Sequence, residues 1–271
     1  MIRDITLGQY YQTESRIHRL DPRVKLVGTM IFLISLFISQ NILCYAAATI
    51  YLICIICLSK VPFGYIVRGM KAIAVIMMIT VIFNLFLTAG EPLVTFWRFT
   101  ITYQGLKNAI YTAVRLTYLI LGSTLMTLTT TPNDLTDGME RGLGFLKIFK
   151  LPVHEIAMMM SIALRFIPIL LEETDKIMKA QQARGADFES GGMIRRAKAM
   201  VPLLVPLFVS AFRRANDLAL AMESRCYHGG EGRTKMKPLE YKPWDIRAYI
   251  ILACYLAIVI LLAILDIRIT V

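Results

Sequence analysis

Residues 26–58 read LVGTMIFLISLFISQNILCYAAATIYLICIICL, and this stretch contains no charged side chain. As a single helix it would be about 50 Å long, whereas the hydrocarbon core of a bilayer is about 30 Å thick. The polar pair Gln40-Asn41 lies near its middle. The stretch therefore predicts two short membrane spans that are joined by a tight turn.

The composition of the whole chain is that of a membrane protein. Of its 271 residues, 56% are hydrophobic and 18% are charged, and the mean hydropathy is +0.59. Soluble domains have roughly 45–50% apolar and 25% charged residues. A net charge of +11 could indicate a nucleic-acid partner, but in a membrane protein an excess of Lys and Arg is typical of cytoplasmic loops. We therefore predict an all-α integral membrane protein whose partner is the lipid bilayer and not nucleic acid.

Five membrane spans account for the apolar stretches of the chain. They cover about residues 24–40, 42–59, 71–89, 108–130 and 248–265. The segment EPLVTFWRFTITYQG, between the third and fourth spans, contains Pro92 and an alternation of apolar and polar residues, which predicts a loop or short hairpin at the membrane surface. This pattern divides the chain into an N-terminal membrane part (1–130), an inserted block (131–246) and a C-terminal span (247–271).

The distribution of cations predicts the orientation of the spans, because Lys and Arg accumulate in cytoplasmic loops. Cations are concentrated in the N-terminal segment, in the 59–71 loop and in residues 131–247, which hold 18 of the 30 Lys and Arg. The turn at Gln40-Asn41 and the 90–107 loop have few. We predict that the N-terminus and the inserted block are cytoplasmic.

The inserted block contains two long helical patterns, at about residues 153–185 and 192–227. The uncharged part of the second pattern, residues 199–212, would extend only about 21 Å, and it contains Pro202 and Pro206, which kink helices. Arg165 interrupts the apolar half of the first pattern. These features favour a cytoplasmic domain of long crossing helices. A re-entrant segment or an additional pair of spans is the alternative.

Both long helices end with an arginine between two small residues. The two tips are Ala183, Arg184 and Gly185 in the first helix, and Ser224, Arg225 and Cys226 in the second. Taken alone, such an ending is a cation at a helix C-terminus followed by a residue that stops the helix. Its repetition, at the ends of two helices of a cytoplasmic block, argues against this simple interpretation.

Three segments carry a resemblance to a known family. They are short, but they are spread along the chain from residue 6 to residue 235, and the resemblance covers essentially the whole chain. They are TLGQYYQTESRIHRLDPRVKL at 6–26, QQARGAD at 181–187 and SRCYHGGEGRTK at 224–235. The chain resembles the T component of energy-coupling factor transporters, a membrane subunit related to the CbiQ-type cobalt permease. The resemblance implies a bacterial plasma-membrane protein in which the two tips dock into two ABC-type ATPase subunits. The second tip departs from the usual Ala-Arg-Gly in having Ser and Cys around its arginine.

The resemblance implies a coupling subunit that transmits ATP hydrolysis by the two ATPases to a membrane-embedded substrate-binding S component, for import of vitamins or other micronutrients. A T component dedicated to one substrate, such as cobalt, nickel or biotin, is one alternative, and a membrane scaffold or enzyme unrelated to transport is another. The sequence contains no Gly-x-x-x-x-Gly-Lys-[Ser/Thr] motif that would bind ATP phosphates. No catalytic, cofactor or metal-ligating set stands out, so we predict a non-catalytic subunit.

The apolar halves of the two long helices predict a further surface, which accepts the S component. Methionine-rich surfaces adapt to partners of differing shape. Part of this surface is expected to pack where the helices cross, and the tips are expected about 30 Å or more away from it along the helices. The residues of this predicted platform are Met158, Met159, Leu203, Leu204, Leu207 and Phe208.

Overall fold

A computed structural model describes residues 10–38, 41–71, 73–96, 99–142, 144, 152–188, 192–229 and 239–270. Gln40 of the predicted turn and residues 230–235 of the segment SRCYHGGEGRTK lie outside these residues. The described elements are helices α1 (Pro22–Ile38), α2 (Ile42–Ser59), α3 (Phe63–Lys71) and α4 (Ala74–Leu87), strands β1 (Pro92–Phe96) and β2 (Phe99–Thr102), and helices α5 (Tyr103–Thr129), α6 (Pro132–Gly142), α7 (Val153–Ala183), α8 (Met193–Glu223) and α9 (Pro243–Thr270). The predicted all-α class is confirmed, with one antiparallel hairpin, β1–β2, at the position where a loop or hairpin was expected.

The helices of the predicted membrane part follow the sequence pattern with two differences. α2 begins after Asn41, whose side-chain Oδ1 accepts a hydrogen bond from the Leu43 amide at 3.3 Å, so this N-cap starts the second helix of the uncharged stretch. The predicted span 71–89 is a shorter helix, α4, preceded by the separate helix α3 at an angle of 64°. α5 begins five residues before the predicted span, because Thr102 caps it through the Gly105 amide.

Four described helices are long and apolar enough to cross a membrane, and α3 with α4 gives a fifth if the bent pair forms one span. The four are α2, α5, α7 and α9. α7 belongs to the predicted cytoplasmic block, so its length and composition keep the alternative of additional membrane segments open. Its Arg165 side chain is exposed, which argues against a lipid-facing position for that part of α7.

The contacts between elements divide the chain into two units. One contains the described residues from 10 to 138 and from 239 to 270, and we call it the membrane unit. The other contains those from 139 to 238, and we call it the coupling unit. The division lies eight residues inside each predicted boundary, because Gly138 packs on Pro22 and the carbonyl of Leu239 accepts a hydrogen bond from Arg23.

The core of the membrane unit is formed by α1, α2, α3, α5 and α9. Its fully buried side chains include Leu36, Ile66 and Val259. Polar groups within it are paired: the Ser35 hydroxyl lies 2.8 Å from the Tyr255 hydroxyl and also donates to the Phe32 carbonyl. Pairing of this kind is required because a buried hydroxyl without a partner destabilises the fold.

A polar network closes the membrane unit at the end where α1 begins. The Asp245 carboxylate is 1% exposed and accepts hydrogen bonds from the backbone amides of Asp21 at 2.9 Å and Lys242 at 2.8 Å. The Arg23 guanidinium pairs with both carboxylate oxygens of Asp21 and stacks 3.9 Å above the Tyr241 ring. These contacts hold the start of α1 against the start of α9.

The segment before α1 is held by His18. Burial and the nearby charge of Lys25 lower the pKa of His18, so the neutral ring is favoured. The ring then accepts from the Ser15 hydroxyl at Nδ1 (2.7 Å) and donates from Nε2 to the Tyr11 carbonyl (3.0 Å). The Tyr11 amide in turn donates to the Leu128 carbonyl at the end of α5. The N-terminal segment is thus attached to α5 as well as to α9.

The closing network generates a stability prediction. Asp245→Asn replaces one accepting oxygen with an amide nitrogen, which cannot accept from a backbone N–H. The free energy of unfolding should fall by about 1.5–3 kcal/mol, the range for hydrogen bonds to charged groups. Denaturant titration of the purified protein in detergent measures this change. Glu240→Gln, which neutralises an exposed carboxylate of the same segment, is the control; an equal loss in both variants would contradict the prediction.

Candidate docking site

The two long helices of the coupling unit run antiparallel where they contact each other. The Arg214 guanidinium lies 3.4 Å from the Glu173 carboxylate. The Gln181 side-chain amide donates to the Pro202 carbonyl at 3.4 Å. Gln181 comes after Glu173 on α7, whereas its partner Pro202 comes before Arg214 on α8. The two helices therefore run in opposite directions.

Pro206 explains why the Pro202 carbonyl is available to Gln181. In an α-helix each carbonyl accepts from the amide four residues later, but Pro206 has no amide hydrogen. The Pro202 carbonyl consequently lacks its partner within α8, and the Gln181 amide takes that place across the helix crossing. A residue that would weaken an isolated helix thereby provides an acceptor for the neighbouring helix.

The antiparallel crossing places the two arginine tips at opposite ends of the helix pair. Arg184 follows Gln181 by less than one turn, so the first tip lies close to Pro202. Arg225 lies further along α8 from Pro202 by about 34 Å, from a rise of about 1.5 Å per residue. One partner subunit could therefore contact one tip without covering the other.

The first tip ends α7 with a compact backbone cap. The Ala186 amide donates to the Gln181 carbonyl at 3.0 Å, and the Gly185 amide donates to the Gln182 carbonyl at 2.9 Å. This pair of hydrogen bonds is the Schellman motif, which satisfies the last carbonyls of a helix. It requires a left-handed residue directly after the cap position, and Gly185 has φ +90°.

The second tip has the same backbone arrangement with a different residue at the left-handed position. The Tyr227 amide donates to the Met222 carbonyl at 3.1 Å, and the Cys226 amide donates to the Glu223 carbonyl at 2.9 Å. Cys226 has φ +56°, a conformation that costs a residue with a Cβ roughly 1–2 kcal/mol. The two tips are therefore alike in geometry, and each arginine directly precedes the left-handed residue.

The tips are open to solvent. All six predicted docking residues are exposed: Ala183, Arg184, Gly185, Ser224, Arg225 and Cys226. Neither arginine side chain has a hydrogen bond or ion pair with another residue in the part of the chain that the structure describes. Each guanidinium can therefore offer its planar set of N–H donors to a carboxylate of another molecule.

The structure separates the six predicted platform residues into two groups. Leu203, Leu204, Leu207 and Phe208 lie on α8 near the crossing, whereas Met158 and Met159 lie about 30 Å back along α7 from Gln181. The expected distance of about 30 Å between platform and tips is wrong for Leu203 and Leu204 with respect to the first tip, since they adjoin the carbonyl that Gln181 contacts. From the second tip they lie about 30 Å away along α8.

Burial differs within the platform residues as well. Leu203 is buried, so it belongs to the packing of the coupling unit, and Met158 and Leu207 are half-buried. Met159, Leu204 and Phe208 are 58%, 44% and 61% exposed. Of the six predicted platform residues, these three are the exposed ones that a partner or lipid can contact.

Sequence reasoning missed two residues that position the first tip. Gln181 anchors the cap through its carbonyl and the crossing through its side chain, and Pro206 frees the carbonyl it contacts. The sequence contains one signal for this pairing, because a proline within a helix always leaves a carbonyl without its helical partner. The sequence does not show which side chain donates to that carbonyl.

Comparisons with known proteins identify the family of the chain. A family model described as CbiQ, cobalt transport protein, matches residues 13–236. The energy-coupling factor transporter transmembrane protein EcfT of Clostridium kluyveri is 51% identical over 250 residues, which are 92% of this chain and 93% of that protein. The protein of the same name from Bacillus subtilis is 49% identical over 260 residues, 94% of this chain and 98% of its own.

The two left-handed positions generate opposite predictions for substitution. Gly185→Ala should loosen the first tip by roughly 1 kcal/mol through backbone strain alone, since no atom lies within 4 Å of the added Cβ. Cys226→Gly should relieve the same strain at the second tip. Hydrogen exchange measured by mass spectrometry should be about fivefold faster at residues 184–186 in the first variant and slower at 225–227 in the second. Unchanged exchange in Gly185→Ala would contradict the cap.

Proposed function

The chain belongs to the CbiQ family of cobalt transport proteins, as a multi-pass T component of an energy-coupling factor transporter, and from that premise we propose that it couples two ATPases to a substrate-binding S component. The observation that carries the proposal is the pair of exposed arginine tips. They have the same cap geometry, lack partners among the described residues, and lie at opposite ends of one antiparallel helix pair.

Each tip is suited to enter a groove of one ATPase subunit. A guanidinium pairs bidentately with a carboxylate in a fixed geometry, which a lysine ammonium does not reproduce. The small residues beside each arginine, Ala183 and Gly185 in the first tip, let the partner's backbone approach closely. Because the tips are about 34 Å apart along α8, two subunits can be engaged at once.

The helix crossing is suited to transmit movement between the tips. The Gln181–Pro202 hydrogen bond and the Arg214–Glu173 pair connect α7 to α8 between the two tips. A displacement of one tip therefore strains these contacts and reaches the other helix. ATP binding and hydrolysis would occur in the partner subunits. This chain would connect them mechanically to the S component, which binds the imported vitamin or other micronutrient.

The S component is proposed to contact the exposed apolar residues of the two groups, Met159 on α7 and Leu204 with Phe208 on α8. Exposed apolar side chains of this size rarely cluster on a surface without a partner or lipid. Since Leu204 adjoins the first tip, S-component binding and ATPase docking would be close neighbours on α8. Met159 lies far from the first tip along α7, so it separates the proposed S-component contact from docking at that tip.

The orientation of the chain completes the proposal: the N-terminus and both tips lie in the cytoplasm, where ATP is available. The cation distribution supports this assignment. In a variant that keeps only Cys226 of the five cysteines, we expect an impermeant thiol reagent to label inside-out vesicles and to leave right-side-out cells unlabelled. Cys226 is exposed, so in membranes from cells that lack the ATPase subunits the result depends on sidedness alone. Labelling from outside the cell would rule out the orientation.

Removal of both arginines should release the ATPases. Arg184→Ala and Arg225→Ala each leave a groove carboxylate buried without its partner, which costs about 2–5 kcal/mol at such interfaces. We expect each variant to reduce substrate uptake sharply and the double variant to lose ATPase copurification. Arg213→Ala, which removes an exposed arginine of α8 that is not at a tip, is the matched control.

A reciprocal arm of the same copurification separates docking from folding. Met159→Glu should reduce recovery of the S component while the ATPase at the first tip is retained, because this residue is 58% exposed and lies about 33 Å from Gln181 along α7. Leu203→Glu buries a charge within the coupling unit and should reduce both. Full ATPase recovery with the double arginine variant would exclude the docking role of the tips.

A further inference from the structure

An apolar cavity lies within the membrane unit, among α1, α2, α5 and α9. Its volume is about 170 Å³. An apolar group that fills this cavity gains dispersion contacts with its lining. Water would find few hydrogen-bond partners there. Its lining includes Gly28, Phe32, Leu52, Ile55, Leu125 and Leu252.

The cavity opens sideways between α2 and α9. Three of its lining residues, Cys54, Leu58 and Ile251, are exposed at the surface of the unit. Both helices have the length and hydropathy of membrane spans, so this opening faces the acyl chains of the bilayer. A ligand that enters here comes from the lipid and not from water.

A cation lies at one end of the cavity. Lys25 contributes to the lining, and its Nζ donates to the carbonyls of His18 at 3.1 Å and Thr129 at 2.8 Å. An ammonium group has three donors, so one remains after these two bonds. Because Thr129 ends α5, this end of the cavity lies at the boundary of the membrane spans.

A basic depression adjoins the cavity at the same end. Leu58 lines both, and the depression also contains Arg16, Arg19 and Lys60, with Glu14 as an acidic member. Arg19 is occupied by Glu14 through an exposed pair at 2.8 Å. Arg16 and Lys60 are exposed, and they leave the depression with a net positive charge.

We propose that the cavity and the depression together form a binding site for an anionic phospholipid. One acyl chain enters between α2 and α9 and fills the apolar cavity, and the phosphate lies against Arg16 and Lys60, with Lys25 below it. Basic pockets at the ends of membrane helices attract anionic headgroups. A peptide segment does not fit the cavity as well, because its backbone polar groups would find few partners there.

The site attaches a lipid to the elements that hold the membrane unit together. Its headgroup end includes the segment 14–19, which His18 and Ser15 attach to α5, and its acyl end touches α1, α2, α5 and α9. A bound lipid would therefore bridge the N-terminal segment and four helices. This inference depends on the membrane assignment alone, and it stands whether or not the arginine tips dock ATPases.

The test compares two lipids that differ only in headgroup. The full chain, purified in detergent, is equilibrated with equal amounts of phosphatidylglycerol and phosphatidylcholine of identical acyl chains, and the retained lipid is counted by native mass spectrometry. We expect phosphatidylglycerol to be retained preferentially. Arg16→Gln with Lys60→Gln should reduce its retention by about 25-fold, from roughly a fivefold factor for each cation near a lipid surface. Lys107→Gln, an exposed cation at the opposite end of α5, should leave it unchanged.

The acyl part of the site is tested at Gly28. A Cβ at this position meets only Leu252 Cδ2, at 4.0 Å, so Gly28→Ala should keep the fold and partly fill the cavity, and Gly28→Leu should fill it further. We expect retention of phosphatidylglycerol to decrease from wild type to Ala to Leu. If the Leu variant fails to fold, the Ala variant alone decides, with a measurable decrease expected.

Three results would overturn the proposal. Equal retention of both lipids would mean that the cavity accepts any apolar chain. Unchanged preference in the double cation variant would exclude the depression as the headgroup site. A preference that is lost in the double cation variant but unchanged in the Gly28 variants would show that this surface attracts negative charge in general. The cavity would then not bind the acyl chain.

Discussion

The carboxylate of Asp245 is 1% exposed and accepts backbone hydrogen bonds from Asp21 and Lys242, so the membrane unit is closed by one buried charge. Residues 224 positions apart in the chain meet at this point. A buried carboxylate is tolerated only when its oxygens are satisfied, and the Asp21–Arg23 pair beside it is bidentate. The position of α9 against α1, and with it the core that contains Tyr255 and Val259, depends on this closure.

The residues that flank the coupling unit in the chain, Gly138 and Leu239, both contact the start of α1. Gly138, at its entry, packs so closely on Pro22 that an added Cβ would lie 3.0 Å from that ring. The carbonyl of Leu239, at its exit, accepts a hydrogen bond from the Arg23 guanidinium, with 3.2 Å between oxygen and nitrogen. The two chain connections of the coupling unit therefore lead to adjacent residues of α1.

Local features could be predicted from the sequence, whereas contacts between distant residues could not. The bounds of α2 follow from an uncharged run preceded by the capping residue Asn41, and the ends of α7 and α8 follow from small residues around arginine. The splitting of the platform could not be foreseen, since it depends on the register of the Gln181–Pro202 contact. The closing role of Asp245 was equally hidden, because a charge that precedes a span normally indicates only the end of a membrane helix.

The most direct test of the central claim is site-specific photo-crosslinking from the two tips in cells that contain the neighbouring transporter subunits. A photoreactive amino acid is placed at Ala183 or at Ser224, with exposed Asp217 on α8 as the control position. The proposed function predicts that each tip position crosslinks to an ABC-type ATPase subunit and that Asp217 gives a much weaker product. Crosslinks from Asp217 equal to those from the tips, or none to an ATPase from either tip, would contradict it.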